Sequence, residues 1–71
     1  MFHEFRIQDT RTDLAFNLRS QQPEADLWEL TVAEPASDGR YIALAEHEGP
    51  RSDMLEIMIR SVSDRVTAKH S

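Results

Sequence analysis

Cysteine is absent from this chain of 71 residues, which excludes disulfides and removes the commonest ligand of a zinc site. Glycine occurs only at Gly39 and Gly49, too few for a loop that cradles phosphate. Lysine occurs once, and the other seven basic residues are arginine. Arginine suits bidentate contact with carboxylates, but a GC-rich genome imposes the same bias, and that is the simpler reading. No apolar run approaches the ~20 residues of a membrane-spanning helix. The opening Met-Phe-His-Glu-Phe-Arg lacks the basic start and the apolar run of about 7–15 residues that a secretory signal needs. The expected location is therefore the cytoplasm, without membrane contact.

Acid is what the chain has in excess, with 13 Asp and Glu against 8 Lys and Arg and a net charge of −5. The excess is local. Residues 24–48 hold Glu24, Asp26, Glu29, Glu34, Asp38, Glu46 and Glu48 against Arg40 alone, a net of about −6. The flanking segments are close to balanced. One acidic block thus accounts for the whole net charge. It argues against nucleic acid as a partner, because phosphate is repelled, and for a basic protein surface.

Residues 1–71 suffice for one domain. A chain this short buries only roughly 60% of its extended-chain surface, and a lone core yields on the order of 3–5 kcal/mol. With disulfides excluded, association is the remaining common source of stability. Homodimerisation, through open sheet faces or edge strands, or binding to a larger partner is therefore expected.

Four segments alternate apolar and polar residues, and one near the end has helical spacing. In 2–8, His3, Phe5 and Ile7 are placed to face a core. After the polar turn 9–13, Leu14, Phe16 and Leu18 alternate with Ala15, Asn17 and Arg19 as in a half-buried strand, with a short helix capped by Thr12 as the rival. Pro23 anchors a loop. Trp28, Leu30 and Val32 form the clearest strand face, and Asp38-Gly39 supplies the positive-φ residue of a hairpin loop. In 41–47, Ile42 and Leu44 are expected on one face and Tyr41, Ala43 and Ala45 on the other, before Gly49-Pro50 stops the strand. A helix follows from Ser52 or Asp53, with Asp53 and Glu56 spaced as a capping box. Its core stripe is expected at Leu55, Met58, Ile59, Val62 and Val66. The fold class is α+β: an antiparallel meander of three to four strands with one C-terminal helix on one face, ββββα, or βαββα if 12–20 is helical.

One helix covers one face, so the other face matters. Leu27, Tyr41, Ala43 and Ala45 are expected to form a flat apolar patch there, and Met54 and Ile57 a small apolar spot on the outer side of the helix. The acidic candidates for a partner are Glu24, Asp26, Glu34, Asp38, Glu46 and Glu48. Catalysis and metal binding lack a constellation. His3, His47 and His70 have no His or Cys at ligand spacing. Glu46-His47-Glu48 on a strand point to alternating faces. No strained elbow surrounds a nucleophilic serine. The expectation is a non-enzymatic regulator or inhibitor, without cofactor, that binds a basic surface of its target, such as a nucleic-acid-binding groove. The alternatives are a structural homodimer or subunit of a larger complex, and a weak RNA-binding module using Tyr41, Arg6 and Arg19.

Overall fold

The computed structural model describes residues 2–70, the side chains of Lys69 and His70 excepted. Strands β1 (His3–Gln8), β2 (Ala15–Gln22), β3 (Leu27–Pro35) and β4 (Tyr41–Gly49) precede the helix α1 (Arg51–His70). The sheet is an antiparallel meander in the order β1-β2-β3-β4. The fold is therefore ββββα, and 12–20 resolves to turn and strand rather than helix.

Each turn has a local cause. Between β1 and β2, the Asp9 carboxylate accepts from the Thr12 amide (2.9 Å) and the Thr12 hydroxyl (2.6 Å), and Asp13 takes φ 62°. This is a side-chain mimic of a backbone turn, for which Asp is suited. Between β2 and β3, Pro23–Ala25 makes a single 3₁₀ turn that ends in Asp26 at φ 55°. A bulge between Arg19 and Gln22 adjusts the register there, and the buried Ser20 hydroxyl donates to the Leu27 carbonyl. Between β3 and β4, Gly39 at φ 86° closes the hairpin, as Asp38-Gly39 implied.

The core lies between α1 and the inner strands. Leu14, Phe16 and Leu18 meet Trp28, Leu30 and Val32 under Met54, with Ile57, Met58 and Val62 packed against them. The alternation of β2 and β3 is realised as expected. The helix is not oriented as its spacing suggested. Met54 is only 2% exposed, whereas Ile59 is 69% and Leu55 42% exposed. Met54, expected outside, belongs to the core, and Ile57, also expected outside, is half-buried against it. The cause lies in the apolar arc of α1. At 100° per residue, Ile57, Met54, Met58, Val62, Leu55, Val66 and Ile59 span about 200°, twice the stripe that one sheet face buries. The junction with β4 selects which half is used. A Cβ at Gly49, whose φ is 148°, would lie 3.6 Å from the end of the Met54 side chain, so the strand end passes close beside Met54.

The helix start also differs. α1 begins at Arg51, and the amides of Asp53 and Met54 both donate to the Pro50 carbonyl. Asp53 therefore lies inside the first turn instead of capping it. The cap comes from elsewhere in the chain: the Arg51 amide donates to Asp26 Oδ1 at 3.1 Å.

Two further expectations fail at the sheet edges. β4 carries a bulge at Leu44, because Val32 faces Ala45 while Ala33 faces Ala43. The bulge reverses the alternation, so Ala45 and His47 lie on the helix side opposite Val32 and Leu30. Ile42 and Leu44 stay exposed rather than packed. On β1, Phe5 and Ile7 share the helix-side face with Leu18 and Phe16, yet both remain about half exposed because β1 lies at the rim of the helix's cover.

Candidate protein-binding face

Among the described residues nothing covers the sheet face away from α1, and the registers fix its pattern. Glu4, Arg19, Glu29 and Glu48 form one row across the four strands; Arg6, Asn17, Thr31 and Glu46 form the next; Gln8, Ala15, Ala33 and Ala43 form a third. The face therefore divides into an acidic half toward β3 and β4 and a shallow half floored by three alanines.

In the acidic half, Glu29 and Glu48 stand directly opposite each other, and Glu46 faces Thr31 on the same side. Like charges directly opposite in a ladder are destabilising. Arg19 offsets part of this, with Nε donating to Glu29 Oε2 at 3.0 Å and Nη1 donating to Thr31 Oγ1 at 3.3 Å. Glu46 and Glu48 lie on the edge strand, exposed. On the shallow half, the small alanines leave room for Tyr41. Its hydroxyl accepts from Gln8 Nε2 at 2.9 Å, a reach across the sheet from β4 to β1. Tyr41 and Ala43 lie on this face as expected, whereas Ala45 does not.

The remaining acidic candidates scatter. Glu34 faces the helix side and pairs with Arg65 at 2.9 Å, with both side chains about two-thirds buried. Asp26 is occupied as the helix cap. Asp38 accepts from the Arg40 amide at 3.0 Å within the hairpin turn. Glu24 sits exposed on the 3₁₀ turn. Leu27 is exposed at the end of the acidic half, where Arg19, Glu29, Glu48 and Phe2 border a cavity of about 510 Å³. Of the twelve candidates, the structure gathers Leu27, Tyr41, Ala43, Glu46 and Glu48 on one face. Glu29, left out of the candidates, joins them. Its signal was its position between Trp28 and Leu30, which points it outward.

Among the described residues no group of three His, Asp or Glu could hold a metal ion, and no helix is long and apolar enough to cross a membrane. The side chain of His70 lies outside the described residues. Asp9 lies in the turn between β1 and β2. Its carboxyl is held below its ordinary value of 3.8, chiefly by the Thr12 hydroxyl donating to it. That shift belongs to the turn, not to the face. No protein-family model, curated protein or solved structure matches the chain.

Proposed function

We propose that this protein is a non-enzymatic, protein-binding regulator whose open sheet face engages a basic surface of its target. The observation that carries this reading is the facing pair Glu29 and Glu48, joined by Glu46 on an uncovered sheet. A sheet gains nothing by holding like charges opposite each other. A guanidinium or ammonium group set between them turns that repulsion into attraction. The alanine floor and Tyr41 beside them supply flat apolar contact area, and Tyr is favoured at interfaces. Steering by such a face acts mainly on the association rate and weakens with salt.

The test compares two variants of equal charge. Glu29→Gln/Glu46→Gln/Glu48→Gln removes the acids of the face. Glu24→Gln/Asp38→Asn/Asp64→Asn removes three acids elsewhere. Binding of a fluorescent arginine-rich peptide is followed by anisotropy, from low salt to about 0.2 M. The face variant should lose most of the affinity and the salt dependence, and the control should keep both. Equal losses in the two would refute a localised site. RNA binding would instead use Arg6, Arg19 and Tyr41 on this face, but both arginines are engaged, Arg6 with Glu4 at 3.6 Å and Arg19 with Glu29. A low-salt gel shift with single-stranded RNA should show no retardation.

A further inference from the structure

The opposite end of the molecule carries a different surface. α1 buries only half of its apolar arc: Ile59 borders a groove beside Ile7 of the edge strand β1, and Leu55, on the same flank of the helix by its spacing, and Phe5 of β1 are also open. The groove, of about 520 Å³, is lined by Ile7, Phe16, Met58, Ile59, Val62 and Val66. The four open side chains leave on the order of 300–400 Å² of apolar surface, at the size of the largest patch on a typical monomer. β1 is also a free sheet edge. The Asp9 amide donates to the Leu14 carbonyl at 2.9 Å, so in the alternation of an antiparallel ladder the odd residues of β1 point their backbone groups at β2. Those of Glu4, Arg6 and Gln8 point away from the sheet.

We propose that this edge pairs with the β1 edge of a second copy, antiparallel and centred on Phe5, to give a continuous eight-stranded sheet. Charge selects both the occupant and the register. Residues 1–13 and 51–70 contain six acids and six bases, so two copies meet here without net repulsion. Meeting through β4 would oppose Glu46 and Glu48 of both chains. A two-fold axis perpendicular to the sheet pairs only residues of the same face. Centred on Phe5, it sets Glu4 opposite Arg6 of the partner subunit, twice. Moving the centre to Glu4 opposes two glutamates, and moving it to Arg6 opposes two arginines. In the chosen register the outward backbone groups of Glu4 and Arg6 bond across the axis, and the two Phe5 rings meet at the closely spaced pair. The apolar flank, extended by Ile7, Leu55 and Ile59, brings the contact toward the lower range of stable interfaces.

The experiment is a charge-complementation test, read by light scattering on size exclusion. Wild type should run as a dimer of 8.2 kDa chains. Arg6→Glu and Glu4→Arg should each weaken self-association by about tenfold or more, since each opposes like charges at two positions. Mixed in equal amounts, they should recover a dimer, because every opposed pair is then complementary. A monomeric wild type, single variants that dimerise as well as wild type, or a mixture that stays monomeric each overturns the proposal. Arg6 faces Asn17 and its side chain is exposed, so Arg6→Glu gives up only a long surface ion pair with Glu4 and should leave the fold intact, while Glu4 faces Arg19. Should Glu4→Arg unfold by circular dichroism, amide exchange at Glu4 and Arg6 in wild type decides. Protection that rises with protein concentration supports pairing, and exchange independent of concentration overturns it. Glu29, Glu46 and Glu48 are untouched throughout, so failure here is separate from failure of the basic-partner reading.

Discussion

The rotation of α1 is open to a direct test, because two apolar residues on one helix should behave oppositely. Met54 is 2% exposed and closes the core against Trp28 and Leu30; Ile59 is 69% exposed. Removing a buried Met side chain to Ala costs about 2–5 kcal/mol. Met54 lies near the helix end, where Gly49 and the start of α1 can relax toward the gap, so a value near 3 kcal/mol is appropriate. A domain of this size has on the order of 3–5 kcal/mol in total, so Met54→Ala should keep no more than about 2 kcal/mol and lie between about 3% and half unfolded without denaturant. With a urea slope of about 1 kcal/mol/M, its midpoint falls by about 3 M. Ile59→Ala should change stability by no more than about 0.5 kcal/mol in the monomer, and Met54→Leu by less than about 1.5. The assay is urea unfolding followed by fluorescence of Trp28, the single tryptophan and itself a core residue. Dilute protein keeps any self-association out of the measurement. A large loss in Ile59→Ala with a small one in Met54→Ala would mean that the helix packs on the face its spacing suggests, and the reasoning would be refuted.

Other substitutions test individual contacts. Asp26→Ala should cost about 1 kcal/mol by removing the cap on Arg51, and Asp26→Asn should cost much less, since Asn caps and tolerates the left-handed backbone; thermal melts would separate the two. Because the Asp9 carboxyl is depressed in the fold, its contribution is complete above the ordinary 3.8 and is lost as pH falls through the lowered value. Asp9→Asn should therefore flatten the decline in melting temperature as pH falls from 3.8 through the lowered value, and an unchanged decline would remove Asp9 as its source. Glu48→Gln should stabilise the fold by about 0.2–1 kcal/mol at low salt by relieving the pair with Glu29, while weakening binding to the arginine-rich peptide. A loss of stability on that change would show that the pair is not repulsive.

The parts of the fold that were legible in the sequence are those set by neighbours in the chain. Trp28, Leu30 and Val32 alternate strictly, so their common face follows from the pleat alone, and Asp38-Gly39 announces its turn by backbone chemistry. The parts that were not legible depend on contacts distant in sequence. Nothing in 51–70 tells which half of a 200° arc will be buried; that depends on how the chain leaves the sheet at Gly49, beside Met54. The bulge at Leu44 has no glycine or proline to mark it, yet it moves Ala45 and His47 to the other face. Asp26 looks like an ordinary loop acid, and only the folded chain brings it to the Arg51 amide. The acidic block behaved the same way. Its composition was plain, but Glu34 went to Arg65 and Asp26 to the helix, so the block is not one surface.

That sorting bears on how the two proposed contacts coexist. With Glu34 paired to Arg65, Asp26 tied to the start of the helix and Glu29 paired to Arg19, the acids of the open face without such a partner are Glu46 and Glu48 at the β3–β4 end, with Glu29 beside them. The neutral apolar surface lies at the β1 edge and along Leu55 and Ile59. Pairing through β1 would carry the two acidic ends to the far edges of a single sheet, where their mutual repulsion is screened over many Debye lengths' worth of protein and solvent. Each acidic end would remain open to its own basic partner. A dimer built in this way presents two equivalent sites on one continuous face, so a target with two basic patches would bind more tightly than one patch allows. Arg6→Glu, which should separate the copies while leaving Glu29, Glu46 and Glu48 in place, would then lower affinity for a two-patch target but not for a one-patch peptide, which an added acid on this face can only favour.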